Sequence, residues 1–409
     1  MGLSRNLLGC QIFDDEMLPS GWECAPLGTR IQLAYGRGLR EEDRRPGVVD
    51  VYGSNGRVGS HNIALVNQPG ILMGRKGTVG AVHYAPAAFW PIDTVYYVRP
   101  LADDDPRFLY HLLAFLPLKV LNAATGVPGL SRRDAYALRG AFPPLDEQIA
   151  IARVLDSVEM ALSCATAAID RARAVDHSLL HELLERGLSP GGRSTHGRPA
   201  HWLIRRVDEV ADVGSGVTLG KDVSGSRSVE LPYLRVANVQ DGHLDLSSIK
   251  RVRVRLDEVE NYRLEPGDVL MTEGGDIDKL GRGTIWTGQI PDCLHQNHIF
   301  RIRANRELLE PEFYALVVES DIAKRYFNRV AKRTTNLAST NKTQVRSFRF
   351  PVPPTLSEQQ GIVAVMRASK SVIAALEERA TTLRELRRSL MHDLLTGQVR
   401  MRETVARAS

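Results

Sequence analysis

Residues 145–186 constrain this chain more than any other stretch. From Leu145 to Arg186 there is neither proline nor glycine, whereas Pro143-Pro144 precede the segment and Gly187 follows it. That is the punctuation of one uninterrupted helix. Its apolar residues return with a seven-residue period: Leu155, Leu162, Ile169 and Leu183 on one seam, with Ile151, Val158, Ala165, Ala172 and Leu179 between them. This is the a/d pattern of a coiled coil, interrupted only by Asp176. The block recurs 211 positions later, Leu145-Asp-Glu-Gln148 as Leu356-Ser-Glu-Gln359 and His181-Glu-Leu-Leu184 as His392-Asp-Leu-Leu395. The second seam runs Ile362, Met366, Ile373, Leu376, Ala380, Leu383, Leu390 and Leu394, with Arg387 in the place of Asp176 and Gly397 at the end. Ser357 and Gln360 have capping-box spacing at its start. Glu147 and Glu358 lie in first turns, where a carboxylate favours the positive helix end, so capping is their expected role.

About 40 helical residues at 1.5 Å each make a rod of about 60 Å. Such a helix needs an apolar partner, and the chain supplies one. Two helices packed on two separate domains is one arrangement. An intramolecular coiled coil that spaces two domains accounts better for the gapless repeat.

Length alone, at 409 residues, suggests two to four domains. Cys10, Cys24, Cys164 and Cys293 form no Cys-x-x-Cys pair, which points to free thiols in a reducing cytoplasm and not to a zinc site. No basic-then-apolar leader and no membrane-length apolar run is visible, so a cytoplasmic protein without a membrane partner is expected. A net charge of +5 and a pI of about 9.0 make a polyanionic partner plausible without requiring one.

Around the long helices the chain repeats itself in order. Val48–Gly53 reads as a strand into the turn Ser54-Asn-Gly56, and Ile71–Met73, Val79–Tyr84 and Thr94–Val98 as further strands. Phe108–Leu121 reads as an amphipathic helix. In the second copy Trp202 stands for Trp22, Gly214-Ser-Gly216 for Gly36-Arg-Gly38, Pro266–Met271 for Pro69–Met73, and Phe313–Glu319 for the Phe108 helix. The expected organisation is a globular domain over 1–143, a long helix over 144–187, a linker over 188–199, a second globular domain over 200–352, a second helix over 353–397 and a tail over 398–409. The fold class is α+β, with two tandem mixed α/β domains separated by the helices. Leu155, Leu162, Ile169, Leu183, Ile373, Leu376, Leu383 and Leu390 are the candidate helix–helix positions.

Candidate polyanion contacts cluster in stretches without acids. None occurs between Asp321 and Glu358, where Lys324, Arg325, Arg329, Lys332, Arg333, Lys342, Arg346 and Arg349 are interleaved with Asn336, Ser339, Thr340 and Asn341. None occurs between Asp50 and Asp93, which hold Asn55, Arg57, Arg75 and Lys76 beside glycines. Lys and Arg neutralise phosphates, Asn and Gln suit base edges, and glycine lets backbone N–H groups approach. Arg132, Arg133, Arg235, Asn238, Lys279, Arg282, Gln296 and Asn297 complete the set. A solvated basic face and ordinary hairpin turns remain the alternatives. His295 and His298, two histidines three residues apart, make a weak ligand set, and no metal is expected. There is no Walker loop, no Gly-x-Gly-x-x-Gly and no Asn/Asp-Pro-Pro-aromatic motif, so no catalysis and no cofactor are expected in this chain.

Taken together, Pro-Pro-Leu-Asp-Glu-Gln148, Pro-Pro-Thr-Leu-Ser-Glu-Gln359, Leu-Met-His-Asp-Leu-Leu-Thr-Gly397, Tyr52-Gly-Ser-Asn-Gly56, Gly74-Arg-Lys-Gly-Thr-Val-Gly80, Tyr233-Leu-Arg-Val-Ala-Asn238 and His295-Gln-Asn297 resemble the specificity subunit of type I restriction–modification systems. The resemblance covers nearly the whole chain. It implies two target-recognition domains held apart by antiparallel helices, each reading one half of a bipartite double-stranded DNA target. It also implies that the helices, with the same Leu155, Leu162, Ile169, Leu183, Ile373, Leu376, Leu383 and Leu390 as candidate docking positions, dock two methyltransferase subunits, which carry S-adenosylmethionine, and through them motor-nuclease restriction subunits. A type IIB-like recognition subunit, a stand-alone modification enzyme and a coiled-coil scaffold without nucleic acid are the competing readings.

Overall fold

The computed structural model describes residues 18–124, 129–188, 199–220, 223, 227–276, 280–333 and 337–401. Both heptad segments are continuous helices, Leu145–Arg186 and Leu356–Leu395. Gly187 and Gly397 end them at φ +69° and +77°, a left-handed conformation that a β-carbon disfavours. The second helix is capped differently from the expected box. It begins at Leu356, so Ser357 already lies inside it, and Thr355 is the cap, accepting from Glu358 N at 3.3 Å.

The chain divides into two compact units, Met1–Ala167 with Glu377–Ser409, and Ala168–Leu376. Each unit therefore holds one half of both long helices. In the first, Ile151, Ala152 and Leu155 share a core with Met391, Leu394 and Leu395. In the second, Leu180, Leu183 and Leu184 share a core with Ile362, Val363 and Met366. The start of each helix meets the end of the other, as an antiparallel pair requires. Leu155, Ile169 and Leu183 are buried, while Leu162, Ile373, Leu376, Leu383 and Leu390 are half-buried.

The duplication extends to every sheet of the first unit. There Glu23–Pro26 pairs with Arg139–Phe142, as Leu203–Arg206 pairs with Arg349–Val352 in the second. A four-stranded sheet runs Ile31–Tyr35, Val95–Pro100, Gly70–Gly74, Val82–Ala85, and its counterpart runs Ala211–Ser215, Ile299–Ala304, Val269–Thr272, Gly283–Ile285. A three-stranded sheet runs Gly56–His61, Val49–Gly53, Phe89–Pro91, and its counterpart Lys250–Arg255, Ser228–Leu234, Leu294–His295. In both copies the hairpin is antiparallel and the third strand parallel. The second unit adds a sheet of Gly274–Asp276, Leu337–Ser339 and Lys332–Arg333.

The strands correct the expected alignment of the glycines by two residues. Gly36 follows Tyr35 as Gly216 follows Ser215, so these two are equivalent, not Gly36 and Gly214. A β-carbon on Gly36 would lie 2.0 Å from Ile92 O, and one on Gly216 1.9 Å from His295 O. The expected Phe108–Leu121 helix is Pro106–Phe115, capped by Asp105 and followed past Pro117 by a tight turn over Leu118–Ala124.

The Glu-Gln pairs bind domain to helix. Gln148 accepts from Asp105 N at 2.9 Å and donates to Asp104 and Pro143 O. Gln359 accepts from Glu310 N at 2.7 Å and donates to Leu308 O and Pro353 O. Glu147 and Glu358 do not cap, contrary to expectation. Glu147 accepts from Trp22 Nε1 at 3.0 Å and from both arms of Arg400 at 2.8 Å, and Glu358 accepts from Trp202 Nε1 at 2.9 Å. An indole N–H packed against an apolar core needs an acceptor, and these carboxylates supply it. Burial pushes the Glu147 carboxyl up, but the bonds from Arg400 and Trp22 outweigh it, and its pKa is lowered.

Candidate nucleic-acid interface

In the first unit the Gly74–Gly77 turn is tied down by its own backbone. Arg75 N and Lys76 N both donate to Thr94 O, and Leu130 N donates to Arg75 O. These bonds bring the loop before Ser131 to the 74–77 turn. Arg132 therefore stacks 3.8 Å from the centre of the Tyr35 ring, while Arg75 lies 5.3 Å from the same ring. The Arg75 guanidinium also donates to Asp93 O at 3.0 and 2.7 Å. Tyr35 remains 55% exposed, so two guanidinium groups and an aromatic face form a single surface cluster. Nothing in the sequence joined Arg75 to Arg132, which lie 57 positions apart.

Asn55, Lys76 and Arg133 are exposed. Ser54 Oγ accepts from Thr78 N at 3.4 Å, which sets the 54–57 turn beside the 74–78 turn. Arg57 is exposed but pairs with Asp50 at 2.5 Å, which raises its pKa.

The same backbone frame occurs in the second unit with a different side chain. Glu273 N donates to His298 O, and Thr340 N donates to Glu273 O, as Arg75 N donates to Thr94 O and Leu130 N to Arg75 O. Glu273 thus occupies the position of Arg75, and its carboxylate meets His298 Nδ1 at 2.5 Å. Glu273, His298, Gly274, Gly275, Lys332, Val236 and Ser339 line a cleft of about 570 Å³. Lys332 and Arg333 are exposed on the added sheet, and Lys342 is exposed on the short Lys342–Arg346 helix.

Asn238, Arg235 and Arg282 have side-chain partners within the fold. Asn238 is 2% exposed; its side chain accepts from Arg235 N at 2.8 Å and donates to Asp245 O and Ser248 O. Arg235 donates to Ser248 O, and Arg282 to Gln240 Oε1 at 2.8 Å. Gln296 and Asn297 are half-buried, and their backbone N–H groups bond Leu234 O and Val217 O. Lys279 and Asn336 lie outside the described residues. His295 and His298 do not converge. His298 is exposed, whereas His295 is fully buried on Tyr262 O, and burial lowers its pKa to about 4.

The acid-free stretch after Asp321 is not free of acids in space. Lys324 pairs with Asp241 at 3.1 Å, and Arg346 lies 3.9 Å from Asp208, whose main partner is Arg206. Sequence reasoning missed one acidic group altogether. His111, Asp156 and Glu159 have ligand-type atoms within 4.8 Å of one another, but Arg107 holds Asp156, with Nε 3.0 Å from both carboxylate oxygens. Burial lowers the His111 pKa against the pull of Asp156. No helix among the described residues is long and apolar enough to cross a membrane.

The family model described as "Type I restriction modification DNA specificity domain" matches residues 19–168 and 199–385. The putative type I restriction enzyme MjaX specificity subunit of Methanocaldococcus jannaschii is 24% identical over 203 residues, 49% of this chain and 47% of that protein. The EcoKI specificity subunit of Escherichia coli is 24% identical over 252 residues, 59% of this chain and 53% of that protein. The chain thus spans about half the length of these two relatives. The StySPI specificity subunit of Salmonella potsdam is 20% identical over 423 residues, 93% of this chain and 90% of that protein. Among solved structures, the type I S subunit from M. genitalium aligns with a TM-score of 0.59 at 15% identity, covering 93% of this chain and 97% of that one. A chain from a structure of type I complex assembly gives 0.57 at 16%, covering 93% and 99%. At these identities the structural likeness is one of fold.

Proposed function

The chain belongs to the family of type I restriction–modification specificity subunits, and from that premise we propose that it is a DNA-recognition subunit without catalysis of its own. Each recognition domain reads one half of a bipartite double-stranded target. Methyl transfer, with its S-adenosylmethionine, belongs to two partner methyltransferase subunits, and cleavage to motor-nuclease subunits that join them.

The observation that carries this reading is one frame with two chemistries. The same sheets and the same turn bonds hold Arg75 in one domain and Glu273 in the other. Two copies reading one sequence would keep that side chain. A guanidinium donates to guanine edges, whereas a carboxylate accepts from a cytosine amino group, so the halves of the target differ. Exposed Lys76 and Arg133 in the first domain, and Lys332, Arg333 and Lys342 in the second, supply the phosphate contacts that set register.

A competition assay tests the proposal. The assembled methyltransferase complex should prefer one split sequence over random duplex by on the order of a thousandfold or more. Equal affinity for all duplexes would reduce the chain to a basic scaffold.

A further inference from the structure

The apolar seams of the two long helices differ in size midway, where Ala165, Ile169 and Ala172 of the first stand against Leu376, Ala380 and Leu383 of the second, but are alike towards their ends. There Leu155, Leu162, Leu179 and Leu183 recur as Met366, Ile373, Leu390 and Leu394. Towards its ends, either seam therefore offers a copy of itself from another chain much the same apolar surface as it offers its partner in the same chain. The charges beside those ends differ, and they are inverted from one copy to the other.

In the first unit the Pro106–Phe115 helix presents Arg107 to Asp156 of the first long helix. Glu159, one turn on, takes the Tyr110 hydroxyl at 2.8 Å and lies 3.8 Å from Arg387 of the second long helix. In the second unit the equivalent Pro311–Glu319 helix presents Glu312 to Arg367, which stands 211 positions after Asp156; Arg367 Nε donates at 2.8 Å. Lys370, which stands 211 positions after Glu159, donates to Glu319 at 2.7 Å. In the antiparallel register that Glu159 and Arg387 set, Asp176, the counterpart of Arg387, falls opposite Lys370; burial, with the charges of Asp241 and Asp176, raises the Glu319 pKa against the pull of Lys370. Domain, own helix and opposite helix thus read plus, minus, plus in the first unit and minus, plus, minus in the second.

We propose that this inverted set of charges selects the pairing of the two long helices within one chain and rejects the pairing of like helices between two copies. Antiparallel pairing of two first helices would place the second copy's Asp176 where Arg387 stands, beside Glu159. Pairing of two second helices would place the second copy's Arg387 where Asp176 stands, opposite Lys370 in that register. Both contacts are between like charges, which helix surfaces disfavour. The same rule holds each domain to its own helix. Exchange would set Arg107 against Arg367 and Glu312 against Asp156.

The test exchanges the two opposite-helix charges in the full-length chain, Asp176→Arg with Arg387→Asp. Within the chain the two helix–helix contacts, Glu159 with position 387 and Lys370 with position 176, become repulsive, and their counterparts between copies become attractive. Sedimentation velocity at low salt should then show self-association tightened on the order of tenfold over the natural chain. The difference should collapse in about 1 M NaCl, where the screening length falls to about 3 Å. Arg387→Asp alone leaves the contacts between copies of the first helix as they are and makes only the Lys370 contact between second helices attractive, so it should show a smaller shift with the same salt dependence. If the double variant does not fold, this single variant carries the test. A folded double variant that sediments like the natural chain, or a single variant that does so where the double variant does not fold, overturns the proposal.

Discussion

At the residue scale, the contacts that matter most join positions far apart in sequence. Lys332 and Arg333 are exposed on a sheet beside a cleft, without a carboxylate partner among the described ion pairs. Replacing both with alanine should weaken duplex binding and lower the slope of log affinity against log salt by about 2, since each lost phosphate contact releases about one counterion fewer. Filter binding of the assembled complex across a salt series reads that slope, and an unchanged slope would remove this strand from the interface. Gly216 gives a second prediction. A β-carbon there meets His295 O at 1.9 Å, so Gly216→Ala should cost about 2–3 kcal/mol, seen as a lower urea midpoint. The sequence marked the Gly-x-Gly but aligned it two residues off, because only strand register shows which glycine abuts a carbonyl. It likewise marked Arg75 and Arg132 separately. Their meeting on Tyr35 depends on the Leu130 N to Arg75 O bond, which has no local signature.

At the element scale, the long helices were legible because their signals are local: a heptad seam, no internal breaker, glycine at each end. The joints between helix and domain were not. Glu147 stands in a first turn, where capping is the ordinary inference, yet Trp22 and Arg400 claim it from 125 and 253 residues away. The basic stretch after Asp321 looked unbalanced for the same reason, since Asp208 and Asp241 lie far upstream. The Glu147 joint predicts a pH dependence. Its folded pKa is lowered below the ordinary 4.5, and that of Asp156 below 3.8. A lowered carboxylate pKa means that the unfolded chain binds protons first. The stability these groups contribute is therefore fully present above about pH 4.5 and is lost as pH falls through the folded values. Thermal melts from pH 6 to 3 should show the first unit losing stability, with Glu147→Gln less stable at pH 6 and flatter below pH 4.5. Parallel curves for the two proteins would rule out that linkage.

At the scale of the whole molecule, the duplication is the organising fact. Three sheets recur in the same order, and both long helices contribute to each unit. On the proposed function, the helical pair would set the distance between two half-sites of different sequence. Inserting one heptad after Ala165 and another after Thr381, which lie opposite each other by the Glu159–Arg387 register, adds roughly 10 Å while keeping the seam in phase. It should widen the gap between half-sites by about three base pairs. The most direct measurement is a methylation map of the natural chain. The chain is co-expressed with its methyltransferase subunit in a host free of other modification, and modified adenines are located by single-molecule sequencing. The account predicts one split motif, two unlike halves around a fixed unspecified gap. A continuous motif, two identical halves, or no methylation from a soluble assembled complex would contradict it.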